Sequence, residues 1–365
     1  MFKRMETFQQ WLNQENIDAA IITSKENVFY FSGFYSDPHE RLLAIAMFEG
    51  GEPFLICPQM ETNAAKDTGW TYPIIGYKDT DDSLQILTDE IKKRIGNGKT
   101  IAVEKNHLNA FRYESLQRLF PNTQFKNAER QLNEQRLIKD EREIQKLEKA
   151  AELADYAIQV GINEVREGAT ELQIVAAIEY ELKKKGVQQM SFSTIVLTGE
   201  KAASPHGTPG LTKVKKGDFV LFDLGVVYEG YCSDITRTVH YGGPSEKQAK
   251  VYETVLRAQQ TALSIGRPGI PSKELDLAAR TIIAEAGYGD YFTHRLGHGL
   301  GISVHEFPSI TETNPLPLEK GMVFTIEPGI YIPNEIGVRI EDDVIITDKG
   351  AVSLTRFPKQ LQVIS

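Results

Sequence analysis

Cysteine is almost absent from this sequence, which contains only Cys57 and Cys232. A small domain built on a disulfide framework is therefore excluded, because such domains need several cysteine pairs. One disulfide between Cys57 and Cys232 is an alternative, but two free thiols in a reducing compartment agree better with so low a count. The sequence therefore predicts a cytoplasmic protein.

The sequence also lacks a long apolar run and an excess of positive charge. No segment is apolar over the roughly 20 residues that a membrane-spanning helix needs. The N-terminus places Phe2, Met5, Phe8 and Trp11 at helical spacing, but polar residues interrupt them throughout, unlike the apolar core of a signal peptide. The formal net charge of −9 disfavours nucleic acid and anionic membranes. We expect neither as a partner.

The chain is long enough for two domains, because 365 residues exceed the usual size of a single core. Residues 1–128 alternate short apolar runs with amphipathic helical patterns, which predicts an α/β domain. The strand-like runs are DAAIITS, RLLAIAMF, EPFLICP, YPIIGY and TIAVEK, and the helical patterns include SLQILTDEIKKRI and NAFRYESLQRLF. A strongly charged stretch follows, so we place the second domain at residues 129–365.

The second domain repeats one order of elements. A long helix with an apolar stripe from Ile144 to Ile162 is expected to end at Gly168. Thr170 and Gln173 form a capping box that opens a second helix, and strand signals follow as far as TRTVHY. The order helix, helix, strands returns from SEKQAKVYETVL onwards. Two copies predict a duplicated α+β unit, with a site between the halves that takes residues from both.

The segment HRLGHGLGISVHEFP concentrates histidine and glycine. It contains His294, His298 and His305, with glycines at positions 297, 299 and 301. Glycine at this density is poor for a helix or an ordinary strand, and it suits a place where the backbone closely approaches something bulky. Each histidine alone is more often structural than a ligand, so its interpretation depends on partners elsewhere in the chain.

Acidic residues within apolar β segments supply these partners. Asp223 and Asp234 flank the turn of one hairpin and should lie roughly opposite each other on one face. Glu327 ends another apolar strand, and Glu341 lies in the segment GVRIEDD. Each acid alone could be a surface carboxylate, but four inward carboxylates repel one another and need compensation. Two divalent cations match four negative charges, and with His298 as a nitrogen ligand the donor set suits manganese, cobalt or zinc.

These residues and their surroundings resemble the pita-bread metallopeptidases, and within them the Xaa-Pro dipeptidases (prolidases) of bacteria. The motifs that carry the resemblance occur in the family's order over essentially the whole chain: FDLG, SDITRT, HRLGHGLG, VHEFP, IEPGIY and GVRIED. The resemblance implies an α/β N-terminal creatinase-like domain followed by an α+β pita-bread catalytic domain with internal pseudo-twofold duplication. It also implies that Asp223 binds one metal ion, that His298 and Glu327 bind another, and that Asp234 and Glu341 bridge both.

The activity that the resemblance implies is metal-dependent hydrolysis of Xaa-Pro dipeptides, with release of C-terminal proline. A water held between two divalent cations, manganese before cobalt or zinc, becomes hydroxide near neutral pH and attacks the scissile carbonyl. Glu327 is expected to take and return protons beside that water. The family has histidines at the positions of His206 and His305, which we assign to the substrate carbonyl and the developing charge. His294 is expected to line the proline pocket.

Several further residues concern substrate binding. Arg339 is expected to anchor Glu341 or a nearby acid through its forked guanidinium, and to contribute to the substrate site. His39 and Arg41 belong to the segment FSGFYSDPHER, whose alternative interpretation is an ordinary surface loop. We expect this loop to close over the site of a partner chain in a homodimer and so to restrict the enzyme to dipeptides. The remaining histidines are expected at the protein surface: His107 and His240.

Two alternatives come from other classes of protein. Some pita-bread proteins have lost their ligands and act as binding modules, and the creatinase branch uses the same fold without metal. The intact set of ligand residues argues against both. Among the metallopeptidases the second candidate is aminopeptidase P, which removes the first residue from longer Xaa-Pro peptides. Methionine aminopeptidase normally lacks the large N-terminal domain.

Overall fold

The computed structural model describes residues 2–365. The chain divides into an N-terminal unit, which ends at Gln135, and a C-terminal unit, Arg136–Ser365. The domain boundary predicted near residue 128 lies close to this division and stays a prediction. Within residues 2–365, no helix combines the length and the apolar character that crossing a bilayer requires.

The N-terminal unit is built on one mixed sheet. Its elements are α1 (Phe2–Gln14), β1 (Ala19–Ile22), α2 (Lys25–Ser32), β2 (Ala44–Phe48), β3 (Phe54–Pro58), α3 (Thr62–Asp67), β4 (Ile74–Tyr77), α4 (Ser83–Ile95), β5 (Thr100–Val103), α5 (Ala110–Leu119) and β6 (Gln124–Asn127); α6 (Glu129–Leu137) crosses the division. The strand order is β4-β3-β2-β1-β5-β6, and β1 pairs with β5 in parallel and with β2 in antiparallel orientation. Strands β1, β2 and β3 are buried along their whole length, as their continuous apolar runs predict. The α/β fold predicted for this part is confirmed.

The C-terminal unit contains the order helix, helix, strands twice. The first half consists of α7 (Glu141–Asn163), α8 (Glu171–Lys184), β7 (Gln189–Met190), β8 (Ile195–Thr198), β9 (Phe219–Leu224), β10 (Val226–Tyr228), β11 (Tyr231–Cys232) and β12 (Ile235–Tyr241). The second half consists of α9 (Glu246–Ile265), α10 (Ser272–Glu285), β13 (Gly297–Gly299), β14 (Glu306–Ile310), β15 (Val323–Ile326), β16 (Gly329–Ile332), β17 (Ile336–Arg339), β18 (Asp342–Thr347), β19 (Gly350–Ser353) and β20 (Val363–Ile364). The predicted duplication is confirmed.

Each half has its own sheet, helix pair and apolar core. In the first half α7 and α8 pack on the antiparallel strands β8, β9 and β12, which β20 extends at one edge. In the second half α9 and α10 pack on the sheet β14-β13-β15-β18-β19. The first core gathers Ile158, Ile178 and Phe222 with their neighbours, and the second gathers Val255, Phe324 and Val344 with theirs. The strands that carry the candidate site residues therefore rest on two rigid layers.

The predicted end of α7 is wrong by one turn. The helix ends at Asn163, with Glu164 as its C-cap, and does not continue to Gly168. Gly168 serves the following loop instead: its φ is +80°, and its N–H donates to the Val214 carbonyl over 2.9 Å. The predicted capping box of α8 is present, because the Thr170 hydroxyl accepts from the Gln173 N–H. Both cysteines are free and buried.

Candidate active site

The first two candidate ligands lie on the hairpin of β9 and β12. Asp223 pairs with Thr236 across this hairpin. Asp234 precedes Thr236 by two residues, so the alternation of side chains puts it on the same face as Asp223, diagonally and not directly opposite. Gly225 permits this close pairing, because a Cβ there would lie 1.8 Å from the Ser233 carbonyl oxygen.

The other three candidate ligands come from the second half. His298 lies in β13, Glu327 directly follows β15, and Glu341 lies between β17 and β18. The His298 Nδ1 is 3.1 Å from the Gly299 carbonyl oxygen, so this nitrogen carries the proton and Nε2 is left with a free lone pair. Nε2 lies 3.4 Å from Glu327 Oε1 and 3.7 Å from Asp234 Oδ2. Potential ligand atoms of Asp234, His298 and Glu341 all lie within 4.8 Å of one another.

The glycines of the His-rich segment make room for neighbouring strands. A Cβ at Gly297 would lie 1.9 Å from the Thr325 carbonyl oxygen, and one at Gly299 would lie 2.3 Å from that of Phe307. A Cβ at Gly301 would lie 2.7 Å from the Glu306 carboxylate. The close approach predicted here is therefore present, but its nearest partners are β14, β15 and a buried acid. Residues 301–305 form a bend, and β14 begins only at Glu306.

One cavity of about 680 Å³ gathers most of the predicted site residues. They are Asp223, Asp234, His298, Glu327, Glu341, His206, His294, His305 and Arg339. Residues that sequence reasoning did not select complete the lining: Phe192, Ile195, Ser204, Pro205, Thr293, Arg295 and Val304. The cavity thus combines a charged floor with apolar and aromatic walls, as small-molecule sites commonly do.

The acids of the cavity hold their protons unusually strongly. Burial raises the pKa of Asp234 and Glu341 well above the ordinary values, and neighbouring carboxylates raise them further. Burial also raises the pKa of Asp223, against the lowering effect of Arg339. It raises the pKa of Glu327 to about 7. So much negative charge in one desolvated place calls for cations, and oxygen donors with one imidazole are a donor set that divalent metals accept.

Two histidines of the cavity, His294 and His298, are poor bases. Burial lowers the pKa of His298 to about 3, with a further contribution from His305. Burial lowers the pKa of His294 to about 4, and its ring bonds to the Tyr331 hydroxyl at 2.9 Å and to the Arg295 carbonyl at 2.8 Å. Both imidazoles are therefore neutral at physiological pH. A neutral His298 can offer Nε2 to a metal.

His206 and His305 are the exposed histidines of the cavity. The His305 ring lies 4.1 Å from the His298 ring, centroid to centroid, in an edge-on arrangement. His206 lies in the loop between β8 and β9. Both side chains are thus presented from loops at the open side of the acid cluster.

Arg339 is anchored to an acid, as predicted, and that acid is Asp223. Its Nη2 donates to Asp223 Oδ2 over 2.5 Å, its Nη1 to the Tyr331 hydroxyl over 2.8 Å, and its Nε to the Thr236 hydroxyl over 2.9 Å. Glu341 instead accepts a 2.6 Å hydrogen bond from the Thr236 hydroxyl. The guanidinium therefore fixes the orientation of one candidate ligand from behind.

Tyr331 and Asp343 are buried contacts of the site that sequence reasoning missed. Gly329 offers a signal for Tyr331, because a Cβ there would lie 2.4 Å from the tyrosine hydroxyl. Asp343 Oδ2 accepts from the Asp234 N–H over 3.0 Å, and burial raises its pKa well above the ordinary value. Asp343 belongs to the quoted GVRIEDD segment, but nothing in its spacing separates it from the acids beside it.

The remaining predicted residues are not among those that line this cavity. His39 and Arg41 do not line it; Arg41 pairs with Asp79 at 2.8 Å, and His39 is highly exposed. His107 is exposed, as predicted. The surface position predicted for His240 is wrong, because this residue is fully buried and packs edge-on against Phe219. The reason is that the imidazole packs against Phe219, its partner across the β9–β12 pair, and Phe219 in turn stacks on Tyr252 of α9.

Known proteins share both the sequence and the architecture of this chain. Residues 145–348 match the family model described as metallopeptidase family M24, and residues 4–138 match the one described as Creatinase/Prolidase N-terminal domain. The Xaa-Pro dipeptidase of Lactobacillus delbrueckii subsp. lactis is 46% identical, over 99% of this chain and 98% of its own. The crystal structure of the prolidase from Pyrococcus horikoshii OT3 has a TM-score of 0.91 at 38% identity, covering 99% of this chain and 100% of its own. The X-Pro aminopeptidase of Thermotoga maritima MSB8 has a TM-score of 0.86 at 34% identity, covering 96% and 99%.

The two family models together cover most of the chain. The acids and histidines that line the cavity lie within the part that matches the peptidase family. This chain belongs to metallopeptidase family M24, with a Creatinase/Prolidase N-terminal domain ahead of a pita-bread catalytic domain.

Proposed function

We propose that this protein is an Xaa-Pro dipeptidase, which hydrolyses the bond before a C-terminal proline. The observation that carries the proposal is the single cavity in which Asp234, His298 and Glu341 present ligand atoms within 4.8 Å of one another. Asp223 and Glu327 line the same cavity. The relative from Lactobacillus delbrueckii, of which 98% aligns with this chain, is an Xaa-Pro dipeptidase.

We infer that Asp223, Asp234, His298, Glu327 and Glu341 hold two divalent metal ions, with manganese favoured over cobalt and zinc. The fit rests on the chemistry of the donors, because three buried carboxylates and the partly buried Glu327, all with raised pKa values, need positive charge and the His298 Nε2 offers a lone pair. Such ions, when bound, supply a hydroxide nucleophile at neutral pH and polarise the scissile carbonyl.

The chain's own side chains then orient the substrate and move protons. Glu327, which lies 3.4 Å from the His298 Nε2 in the acid cluster, is placed to take a proton from the attacking water and return it to the leaving proline nitrogen. His206 and His305 stand at the open side of the cluster, where they can donate hydrogen bonds to the substrate carbonyl and to the charge that develops on it. Arg339 keeps the Asp223 carboxylate in place.

The preference for proline agrees with the character of the pocket. An Xaa-Pro bond is a tertiary amide without an N–H, so an enzyme that grips this N–H cannot use it. His294 offers a flat neutral ring beside Tyr331, held by two hydrogen bonds, and Phe192 and Ile195 add apolar surface. A pocket of this kind can accept a pyrrolidine ring without requiring a donor from it.

The second candidate function is that of an aminopeptidase P, because the Thermotoga maritima X-Pro aminopeptidase also aligns along nearly the whole chain. A product assay separates the two. Protein supplied with manganese is incubated with Ala-Pro and, separately, with Ala-Pro-Ala, and the free proline and free alanine are quantified. The dipeptidase proposal expects proline from Ala-Pro and little cleavage of Ala-Pro-Ala. Equal cleavage of both peptides would favour the aminopeptidase, and cleavage of neither would overturn both.

A further inference from the structure

The two ends of the loop that carries His206 donate hydrogen bonds to the same buried side chain, that of Glu171. This loop, residues 199–210, leaves β8 after Thr198 and reaches Gly210 before the chain enters β9. Glu171, in the first turn of α8, accepts from the Thr198 N–H over 3.0 Å with Oε1 and from the Gly210 N–H over 2.7 Å with Oε2. One carboxylate therefore holds the two ends of the loop together.

Lys201 adds a third tie from inside the loop. Its ammonium contacts Glu171 Oε2 and donates to the Thr208 carbonyl over 3.1 Å. Glu171 is completely buried, whereas 36% of the Lys201 side chain is exposed. Charge-assisted hydrogen bonds of a buried carboxylate are stronger than neutral ones, and the buried charge leaves Glu171 few alternative conformations.

The far side of the loop packs against β17, the strand that ends at Arg339, which is the hydrogen-bond partner of Asp223. A Cβ at Gly337 in β17 would lie 1.8 Å from the Ala202 carbonyl oxygen, so strand and loop touch through their backbones. The Pro205 carbonyl lies 3.5 Å from Arg339 Nη1. The His206 imidazole itself has no hydrogen-bond partner among residues 2–365. Its position over the cavity consequently depends on the backbone of the loop.

We propose that Glu171, together with Lys201, is a positioning residue for hydrolysis: it fixes the 199–210 loop so that His206 faces the acid cluster. This inference rests on the proposed function, because it assigns His206 to the substrate. A displacement of a catalytic donor by about 1 Å can lower the reaction rate on the order of a hundredfold. A loop that is no longer held in place should therefore lower turnover without changing the metal ligands.

The test is a double-mutant cycle with a second readout that needs no activity. Glu171→Gln keeps the shape of the side chain but removes its charge, and Lys201→Met keeps the buried acid and is the second variant should Glu171→Gln not fold. Glu181→Gln is the matched control, because Glu181 also pairs with a lysine, Lys184, on the same helix but away from the loop. For each protein kcat and KM on Ala-Pro, metal content and amide hydrogen exchange are measured.

We expect Glu171→Gln to lower kcat/KM by about 10-fold to 100-fold, mainly through kcat, with unchanged metal content. In a His206→Ala background the same substitution should cost less than about twofold, because the loop then carries no donor. Amides of residues 198–210 should exchange faster in Glu171→Gln and Lys201→Met, and at the parental rate in Glu181→Gln.

Two results would overturn the inference. One is an equal loss of kcat/KM from Glu171→Gln with and without His206, which would mean that Glu171 acts by another route. The other is unchanged exchange of the 198–210 amides in the variants, which would mean that the carboxylate does not hold the loop. If the parent protein releases no proline from Ala-Pro, the proposed function fails, and the exchange measurement alone decides whether Glu171 fixes the loop.

Discussion

Asp234 is the residue on which the candidate ligands converge. Its carboxylate faces the His298 Nε2, and its backbone N–H is held by Asp343. Burial raises its pKa most, followed by the charge of Glu341 and then that of Asp223. Removing this one charge should therefore weaken cation binding more than it weakens the fold.

We expect Asp234→Asn to lose at least one of about two divalent ions per chain and most of the activity. Elemental analysis of undialysed protein measures the ions, and proline release from Ala-Pro measures the activity. Asp348→Asn, which changes an exposed acid paired with Lys320, is the control and should keep both. Full activity of parent protein that has been exhaustively stripped by a chelator would contradict the metal assignment.

The exposed histidines of the cavity make a different prediction. His206→Ala and His305→Ala should each lower kcat on Ala-Pro by roughly a hundredfold, the size of effect seen when one charge-stabilising donor is lost. Metal content should stay at the parental level, and His107→Ala, at an exposed position in the N-terminal unit, should behave like the parent. Loss of metal from His305→Ala would instead place His305 among the ligands.

Among individual residues, those that could be assigned to the site from the sequence alone lie within recognisable local motifs. The acids next to apolar β runs could be selected because a charge in a buried strand needs a reason. His240 could not be placed correctly, since the Phe219 ring that packs on it belongs to another strand, β9. Glu171 was equally hidden, because an acid in the first turn of a helix is common and its contacts with Thr198 and Gly210 obey no local spacing.

Among the elements, α7 and β9 approach each other closely at Gly161. A Cβ there would lie 2.7 Å from Phe222 Cε1 and 2.8 Å from Ile178 Cδ1. Alanine is favoured over glycine inside a helix by about 1 kcal/mol, whereas overpacking of a core costs about 1–3 kcal/mol. Because both contacts fall inside the packed core, overpacking should win.

Gly161→Ala is therefore expected to lower the free energy of unfolding by about 1 kcal/mol, despite the better helix propensity. Denaturant unfolding of the two proteins measures the difference. Gly50→Ala is the control, since a Cβ at Gly50 meets nothing within 4 Å. Adding Phe222→Leu should restore part of the lost unfolding free energy. A Gly161→Ala protein more stable than the parent would show that the gain in helix propensity outweighs overpacking.

A buried acid, Glu306, links the start of β14 to the last turn of α6 and to the segment that follows α6. Glu306 contacts Arg136 and Lys139 and accepts from the Ser303 N–H over 2.9 Å. Burial alone would raise its pKa, but the charges of Arg136 and Lys139 outweigh burial and lower the pKa to about 2, from the usual 4.5. A pKa that is lower in the folded state stabilises the protein above the unfolded value, and this contribution is lost as the pH falls towards the folded value.

Glu306→Gln should consequently be less stable than the parent at neutral pH, and the gap should narrow in acid. Between about pH 5 and pH 3 the difference in unfolding free energy should shrink by roughly 2 kcal/mol. Denaturant unfolding at a series of pH values measures it, with Glu335→Gln, whose partner is the exposed Lys247, as the control. A gap that is constant over this pH range would show that the Glu306 charge contributes nothing.

For the whole molecule, we propose that the loop from Asp37 to Arg41 closes over the site of a partner chain in a homodimer and so makes the enzyme selective for dipeptides. The loop is held within its own unit, where Asp37 pairs with Lys25 at 2.8 Å and Arg41 with Asp79. Its position is therefore defined even though His39 is highly exposed.

Deleting residues 36–40 should raise the rate on Ala-Pro-Ala relative to that on Ala-Pro, because a longer peptide would no longer meet the loop. Metal content should not change. Competition between the two peptides in one reaction gives the ratio of their kcat/KM values directly. Lys25→Ala removes only the ion pair with Asp37, so it should shift this ratio in the same direction as the deletion but by a smaller amount. An unchanged ratio in the deletion variant would remove the loop from selectivity.

The duplicated architecture would give the proposed metal ions a role beyond catalysis. Asp223 and Asp234 belong to one half, whereas His298, Glu327 and Glu341 belong to the other, so the complete proposed ligand set requires both halves. Ions that bind only when both sets are assembled act as a reversible cross-link, worth about 2.7 kcal/mol of unfolding free energy for each site at a hundredfold excess over its dissociation constant. The supply of metal would then govern how long the folded chain survives as well as how fast it works.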